Sequence, residues 1–312
     1  MHQPYHIHYL RRKDIDPEKW DACIHRAPNG LIYGKTFFLD KIADEQWDAL
    51  VLEDYQAVMP LTWRKKFGFT YLYQPFFTPA LGIFGTPGLT SAFLTAIPSR
   101  FRYWEIDLNE SNRIDTECSA SRPIKIAPRI NYLLSLHRPY EAIRYSYKRL
   151  AKRMLQQAAG NGLQVIRDAR PEEVVGHFQN VYRSQLPGIR NKDYFRLTAC
   201  AGIAYRDGHC AAYLAQTPDN IACAFYLVFS DERCVYSTLG GSTEEGKKNG
   251  AFYLLTDAVI RDHADTNRTF RFEGSDVSGI AFFNSQFGSS PVTYPHITMN
   301  KLPFPVNLLK RS

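Results

Sequence analysis

Arg271, Glu273, Ser275 and Asp276 place a cation, two carboxylates and a hydroxyl within six residues. Arg271, Glu273 and Ser275 alternate with Phe270, Phe272 and Gly274, the period of a strand that runs into a Gly-Ser-Asp turn. A carboxylate at a strand end can take a proton from an ammonium nucleophile, directly or through water, which makes Glu273 the candidate base. It can equally tie the turn down through backbone amides. Ser275 and Asp276 are candidate substrate contacts beside it. From Ile280 to Phe287 the sequence reads as a short aromatic helix stopped by Gly288, a residue that tolerates a left-handed C-cap. Within that helix Asn284 and Gln286 could donate a hydrogen bond to an oxyanion. Tyr236 and Tyr253 are candidate proton donors to a leaving group.

Upstream, Cys234 to Leu239 reads as a strand, followed by a turn at Gly240-Gly241-Ser242 and a helix from Thr243 to His263. Free backbone amides at a helix start bind phosphate, so Gly240, Gly241, Lys247, Lys248 and Gly250 are candidate cofactor-binding residues. Glu244 and Glu245 would repel a diphosphate unless turned outward. An ordinary N-cap by Ser242 or Thr243, with acids in the first turn, is the competing reading. Strand, glycine turn, helix, strand and short helix is the order that builds a ligand crevice at strand ends in an α/β domain.

These residues, in this order, resemble the C-terminal half of a GNAT-type acyl-CoA N-acyltransferase domain. More closely, they resemble the double-domain branch that contains the Fem-type peptidoglycan aminoacyltransferases, where an acidic-Gly-Ser turn leads into a short helix ending in Phe-Gly, as Phe287-Gly288 does here. The resemblance implies a mixed α/β chain of two tandem GNAT-like domains, with acyl-CoA as co-substrate and no tightly bound cofactor. It implies N-acyl transfer to an amine, with a cell-envelope precursor as one candidate acceptor. The alternatives are an aminoacyl-tRNA-dependent transferase of the Fem type, with tRNA as partner, and a binding module that keeps the fold without the chemistry. Two departures bear on the choice. The usual Arg/Gln-x-x-Gly-x-Gly/Ala signature is represented by Gly246 and Gly250-Ala251 around Lys247-Lys248, at a different spacing. Fem-type enzymes commonly carry a lysine in the short helix, where this chain has Asn284 and Gln286.

Positioning these residues takes two runs of similar elements. The first half opens with a strand at Tyr5–Leu10 and a helix from Pro17, then strands at 47–53, 56–64 and 69–73, a helix at 89–96 and closing strands at 103–108 and 130–136. The second half opens with a long helix from Pro139 to Ala159, carrying Arg144, Lys148, Arg149, Lys152 and Arg153. That basic face suits RNA or phosphate, or simply water. Further helices start at Pro171 and Lys192, strands follow at 211–216, 221–229 and 234–239, and a strand pair at 292–299 ends the domain. The expected domains are 1–138 and 139–312. Tyr33, Lys35, Tyr73 and Gln74 fall in first-half loops that could face a groove between domains, as candidate substrate contacts.

Composition sets the outer limits. The 312 residues suffice for two domains, and 45% hydrophobic content supplies their cores. A net charge of +7 favours anionic partners or plain solubility. No apolar run reaches the ~20 residues of a membrane span, and Met1–His8 lacks the order of a secretory signal, so a cytoplasmic location is expected. Cys23, Cys118, Cys200, Cys210, Cys223 and Cys234 form no C-x-x-C pair, which argues for reduced, buried thiols. His6 and His8 share a strand face without a third ligand, and no metal site is expected.

Overall fold

A computed structural model describes residues 6–114, 124–274 and 276–307. The chain divides into two compact units, Met1–Arg129 with Thr293–Ser312, and Ile130–Val292.

In the first unit β1 (Ile7–Arg11), β2 (Trp47–Leu52), β3 (Ala57–Lys66) and β4 (Phe69–Tyr73) pair antiparallel in succession, with the short β5 (Phe84–Gly85) also on β3. β6 (Phe101–Asp107) then lies parallel to β4. All six residues of β2 are buried, the mark of a strand covered on both faces. The helix Pro17–Arg26 packs Trp20, Cys23 and Ile24 inward. It starts where the Asp16 carboxylate accepts from the Glu18 and Lys19 amides, with Pro17 in the first turn. Leu50, Met59, Phe93, Phe101 and Trp104 form the heart of this core.

The second unit continues from β7 (Ile124–Ser135), which crosses the unit boundary. β8 (Gln164–Ile166), β9 (Cys210–Gln216), β10 (Ala222–Ser230) and β11 (Cys234–Ser242) run antiparallel. β12 (Thr269–Arg271) joins β11 in parallel and β7 in antiparallel sense. Its core gathers Tyr147, Leu155, Tyr226, Leu255, Phe270 and Phe287.

The last strand, β13 (Ser290–Asn300), pairs antiparallel with β6, from His296 opposite Asp107 to Asn300 opposite Tyr103. The expected 1–138 and 139–312 division therefore changes. The end of the first half, β7, supplies a neighbour to β12, and the end of the second half returns to the first unit, where Ile297 and Met299 enter the core. The expected pair at 292–299 is one strand.

Two helices expected to be continuous are each broken. The first consists of Tyr140–Tyr145 and Arg149–Gly160. Between them Tyr147 turns into the core and the Lys148 amide donates to the Gln286 carbonyl instead of continuing the helix. The second consists of Glu244–Lys248 and Ala251–His263, interrupted where Gly250 takes a left-handed φ of 75°. A Cβ there would come within 2.5 Å of the Met154 carbonyl oxygen.

Candidate active site

β11 and β12 pair at Cys234–Thr269, Val235–Phe270 and Tyr236–Arg271, and the pairing stops there. β11 runs on to Ser242. Its register against β10 slips by one residue between Leu239 opposite Leu227 and Ser237 opposite Val228, a bulge at Thr238. Beyond Tyr236, no strand among the described residues pairs with that edge of β11. The Thr243 amide donates to Cys223 on β10. Alternation along the strand therefore aims the amides and carbonyls of Gly240 and Ser242 away from β10, toward the open side.

Glu273 lies beyond the end of β12, 5% exposed and with a left-handed φ of 56°. Its amide donates to Asn131 Oδ1 at 2.8 Å, and its Oε2 accepts from Asn131 Nδ2 at 2.8 Å. Oε1 accepts from Arg271 Nε at 3.0 Å, within an ion pair whose side chains are 4% and 5% exposed. Asn131 extends the β7–β12 register, which places it opposite Glu273. Its side chain thus takes over the ladder where backbone pairing ends. Both oxygens of the carboxylate are held by donors. Gly274, which follows, takes a left-handed φ of 59°. Ser275 lies outside the described residues. Asp276 is exposed, and its Oδ1 accepts from the Ile130 amide at 3.4 Å.

The remaining candidates fall elsewhere. Tyr236 is fully buried, and its hydroxyl donates to Asp231 Oδ2 at 2.6 Å, at the hairpin end of β11. Burial and the neighbouring Asp231 hold its pKa well above that of an ordinary tyrosine. That hydroxyl is a structural tie and is not offered to a leaving group. Asn284 is buried on the helix Ser278–Asn284, and its carbonyl accepts from Ser289 Oγ. Phe287 packs on Tyr147, Tyr253, Phe272 and Phe283, and Gly288 takes φ 75° against Ser146. Phe-Gly here is a packing device.

Gly240 and Gly241 belong to β11, not to a turn, opposite Tyr226 and Phe225. A Cβ at Gly240 would meet Phe252 and Tyr226, and one at Gly241 would meet the Tyr182 ring at 2.4 Å. Thr243 supplies the helix N-cap, its Oγ1 accepting from Gly246. Lys247 pairs with Glu244 at 2.6 Å, and the Lys248 carbonyl accepts from Gln157.

Two of the four first-unit candidates are buried. Tyr33 is completely buried against Phe38, and Lys35 immediately precedes the helix Thr36–Ile42. Tyr73 ends β4, buried beneath Arg64 with its ring centroid 4.0 Å from the guanidinium carbon. Gln74 accepts from the Asp107 amide and donates to the Thr78 carbonyl. Tyr33 and Tyr73 are buried and cannot serve as loop contacts to a ligand, whereas Lys35 and Gln74 are partly exposed. A separate cleft of about 450 Å³ in this unit, lined by Arg26, Tyr55, Gln56 and Pro87, touches none of the candidates. Cys23 also lines it, its thiol pushed up to about 11 by burial, while Cys234 rises to about 12 for the same reason. Neither is a ready nucleophile. Cys118 lies outside the described residues. No group of three metal-ligating side chains, and no helix long and apolar enough to cross a membrane, occurs among the described residues.

Sequence reasoning missed Asn131 and Tyr182. Asn131 is 142 residues from its partner, and nothing local distinguishes it. Tyr182 is one of 19 tyrosines.

No family model matches the chain, and no curated protein matches its sequence. Solved structures do match it in fold. FemX is similar over 97% of this chain and 99% of its own, at 14% identity and a TM-score of 0.66. L-PGS from Bacillus licheniformis is similar over 94% of this chain and 95% of its own, at 12% identity and a TM-score of 0.54. A tandem GNAT protein from the clavulanic acid biosynthesis pathway is similar over 96% and 99%, at 12% identity and a TM-score of 0.51. The chain has the Fem-like, double-domain GNAT-type fold.

Proposed function

We propose that the second unit transfers an acyl group from a thioester, acyl-CoA, to an amine. The observation that carries this reading is the parallel pair β11/β12, which ends at Tyr236–Arg271 while β11 continues past a bulge with its edge open. A thioester carbonyl lying on that edge would accept from the Gly240 amide, where the negative charge of a tetrahedral intermediate develops. The amine nitrogen attacks the carbonyl carbon, the new C–N bond forms, the C–S bond breaks, and sulfur leaves as a thiolate. The proton lost from the amine passes to Glu273 through water and then to solvent. Asn131 and Arg271 position that carboxylate. A thiol ionises near pH 8.5 and leaves without help, so the reaction needs nothing from Tyr236. A cell-envelope precursor bearing a primary amine is the proposed acceptor class.

The test is thiol release from acetyl-CoA across a panel of primary amines, with Glu273→Gln as control. Turnover that depends on amine and falls at least tenfold per folded molecule in the variant supports the reading. Absence of both turnover and saturable coenzyme A binding overturns it.

A second reading, aminoacyl transfer from tRNA, has its own observation. Lys148, Arg149, Lys152 and Arg153 are all exposed, and Lys148 Nζ donates to Ser285 Oγ on the short helix at 3.1 Å. A cation from the residue that precedes the helix Arg149–Gly160 thereby reaches the segment that itself lacks one. Binding of bulk tRNA that weakens steeply between 50 and 200 mM salt, without coenzyme A binding, would favour it. Silence with both ligands would leave a binding module.

A further inference from the structure

The open edge of β11 already has an occupant. Tyr182 is the last residue of the helix Pro171–Tyr182. Its hydroxyl accepts from the Ser242 amide at 3.2 Å and donates to the Ser242 carbonyl at 3.1 Å. One hydroxyl thus makes both hydrogen bonds that an amide of an extended chain would make in adding to this strand. Its ring lies over Gly241, where a Cβ would come within 2.4–2.9 Å of it. Lys247 Nζ stands 5.9 Å from the ring centroid and is itself paired with Glu244, which ties the tyrosine to the helix that follows β11. Two residues back, Gly240 presents its amide and carbonyl on the same side. The next residue, Arg183, keeps helical angles of −53° and −42°, and the Tyr182 carbonyl accepts from the Gln185 and Leu186 amides.

We infer that Tyr182 is a removable stopper of the donor edge, which must leave Ser242 before an amide-bearing donor arm can pair with Gly240 and Ser242. The inference rests on the donor site proposed above. It assigns Tyr182 to control of donor affinity, outside the chemical step. The stopper keeps two backbone groups satisfied while the edge is empty, and competes with any ligand that would satisfy them instead.

Acetyl-CoA binding to the protein, its Tyr182→Phe variant and its Tyr182→Leu variant, measured by calorimetry, tests it. Phenylalanine keeps the ring over Gly241 and removes both hydrogen bonds, so its affinity should rise by roughly five- to tenfold, the factor that a net hydrogen bond is worth. Leucine should bind at least as tightly as the parent. Hydrogen exchange at the Ser242 amide should quicken in both free variants and slow again on adding acetyl-CoA. A parent that binds while Tyr182→Phe binds no tighter overturns the stopper and spares the donor site. Three proteins that all fail to bind overturn the donor site and the stopper with it.

Discussion

Asp107 and Glu273 hold the same position in their two units. Each stands two residues beyond the last parallel pair, Tyr73–Glu105 in one case and Tyr236–Arg271 in the other. Each is buried, and each meets a side chain of the antiparallel neighbour directly opposite. Asp107 accepts from His296 Nδ1 at 2.8 Å on β13, and Glu273 from Asn131 on β7. Each also pairs with an arginine, Arg129 at 2.9 Å and Arg271 at 3.0 Å. One topology has placed a carboxylate at the same point twice.

If only the second unit carries chemistry, the two carboxylates should separate functionally. Asp107→Asn should lower the melting temperature and leave turnover per folded molecule within twofold of the parent. Glu273→Gln, which likewise breaks a buried ion pair, should lower the melting temperature and also reduce turnover per folded molecule at least tenfold. Parallel melts and acetyl-CoA assays check this, and loss of turnover in Asp107→Asn with its fold intact would contradict it.

Removing Arg271 leaves a buried carboxylate without its cation. Arg271→Leu should cost about 3–5 kcal/mol in urea unfolding. Asn131→Ala strands the Glu273 amide and one carboxylate oxygen, and should cost about 1–3 kcal/mol.

Gly250→Ala combines a left-handed backbone with a Cβ aimed at the Met154 carbonyl oxygen. At least 1–3 kcal/mol of destabilisation, roughly the cost of a strained left-handed residue, is expected. Gly208→Ala, with the same φ of 75° but open space around it, should cost less. Chemical denaturation of the two variants side by side gives the comparison.

His263 offers a pH signature. Burial lowers its pKa from the ordinary value, and Arg268 lowers it further by donating to Nδ1 at 3.2 Å, which requires that nitrogen to be unprotonated. Because the folded pKa lies below the unfolded one, its contribution is present above about pH 6.5 and is lost as pH falls through the folded value. Melting temperature should drop from pH 7.5 to 5, and His263→Asn should flatten that slope.

Much of this was legible in the residues, and the reasons differ by element. Period-two alternation marked β12 and its turn, and Gly288 marked the end of the short helix, because both signals are local. The helix breaks at Ser146–Lys148 and Asn249–Gly250 were hidden. A helical pattern continues across each, and only tertiary contacts with Gln286 and Met154 interrupt it. Tyr33 and Tyr73 read as loop residues by their glycine and proline neighbours, yet burial decides their role. The Asn131–Glu273 tie depends on register between strands far apart in sequence, which no local pattern encodes.

The return of β13 to the first unit has a bearing on biosynthesis. The edge of β6 waits for a strand whose residues leave the ribosome only after the whole of 130–292. During that interval the hydrogen-bonding groups of β6 and the apolar places later filled by Ile297 and Met299 stand uncovered, a hazard for association with other nascent chains. The N-terminal unit is therefore the last to be finished, against the usual order of synthesis.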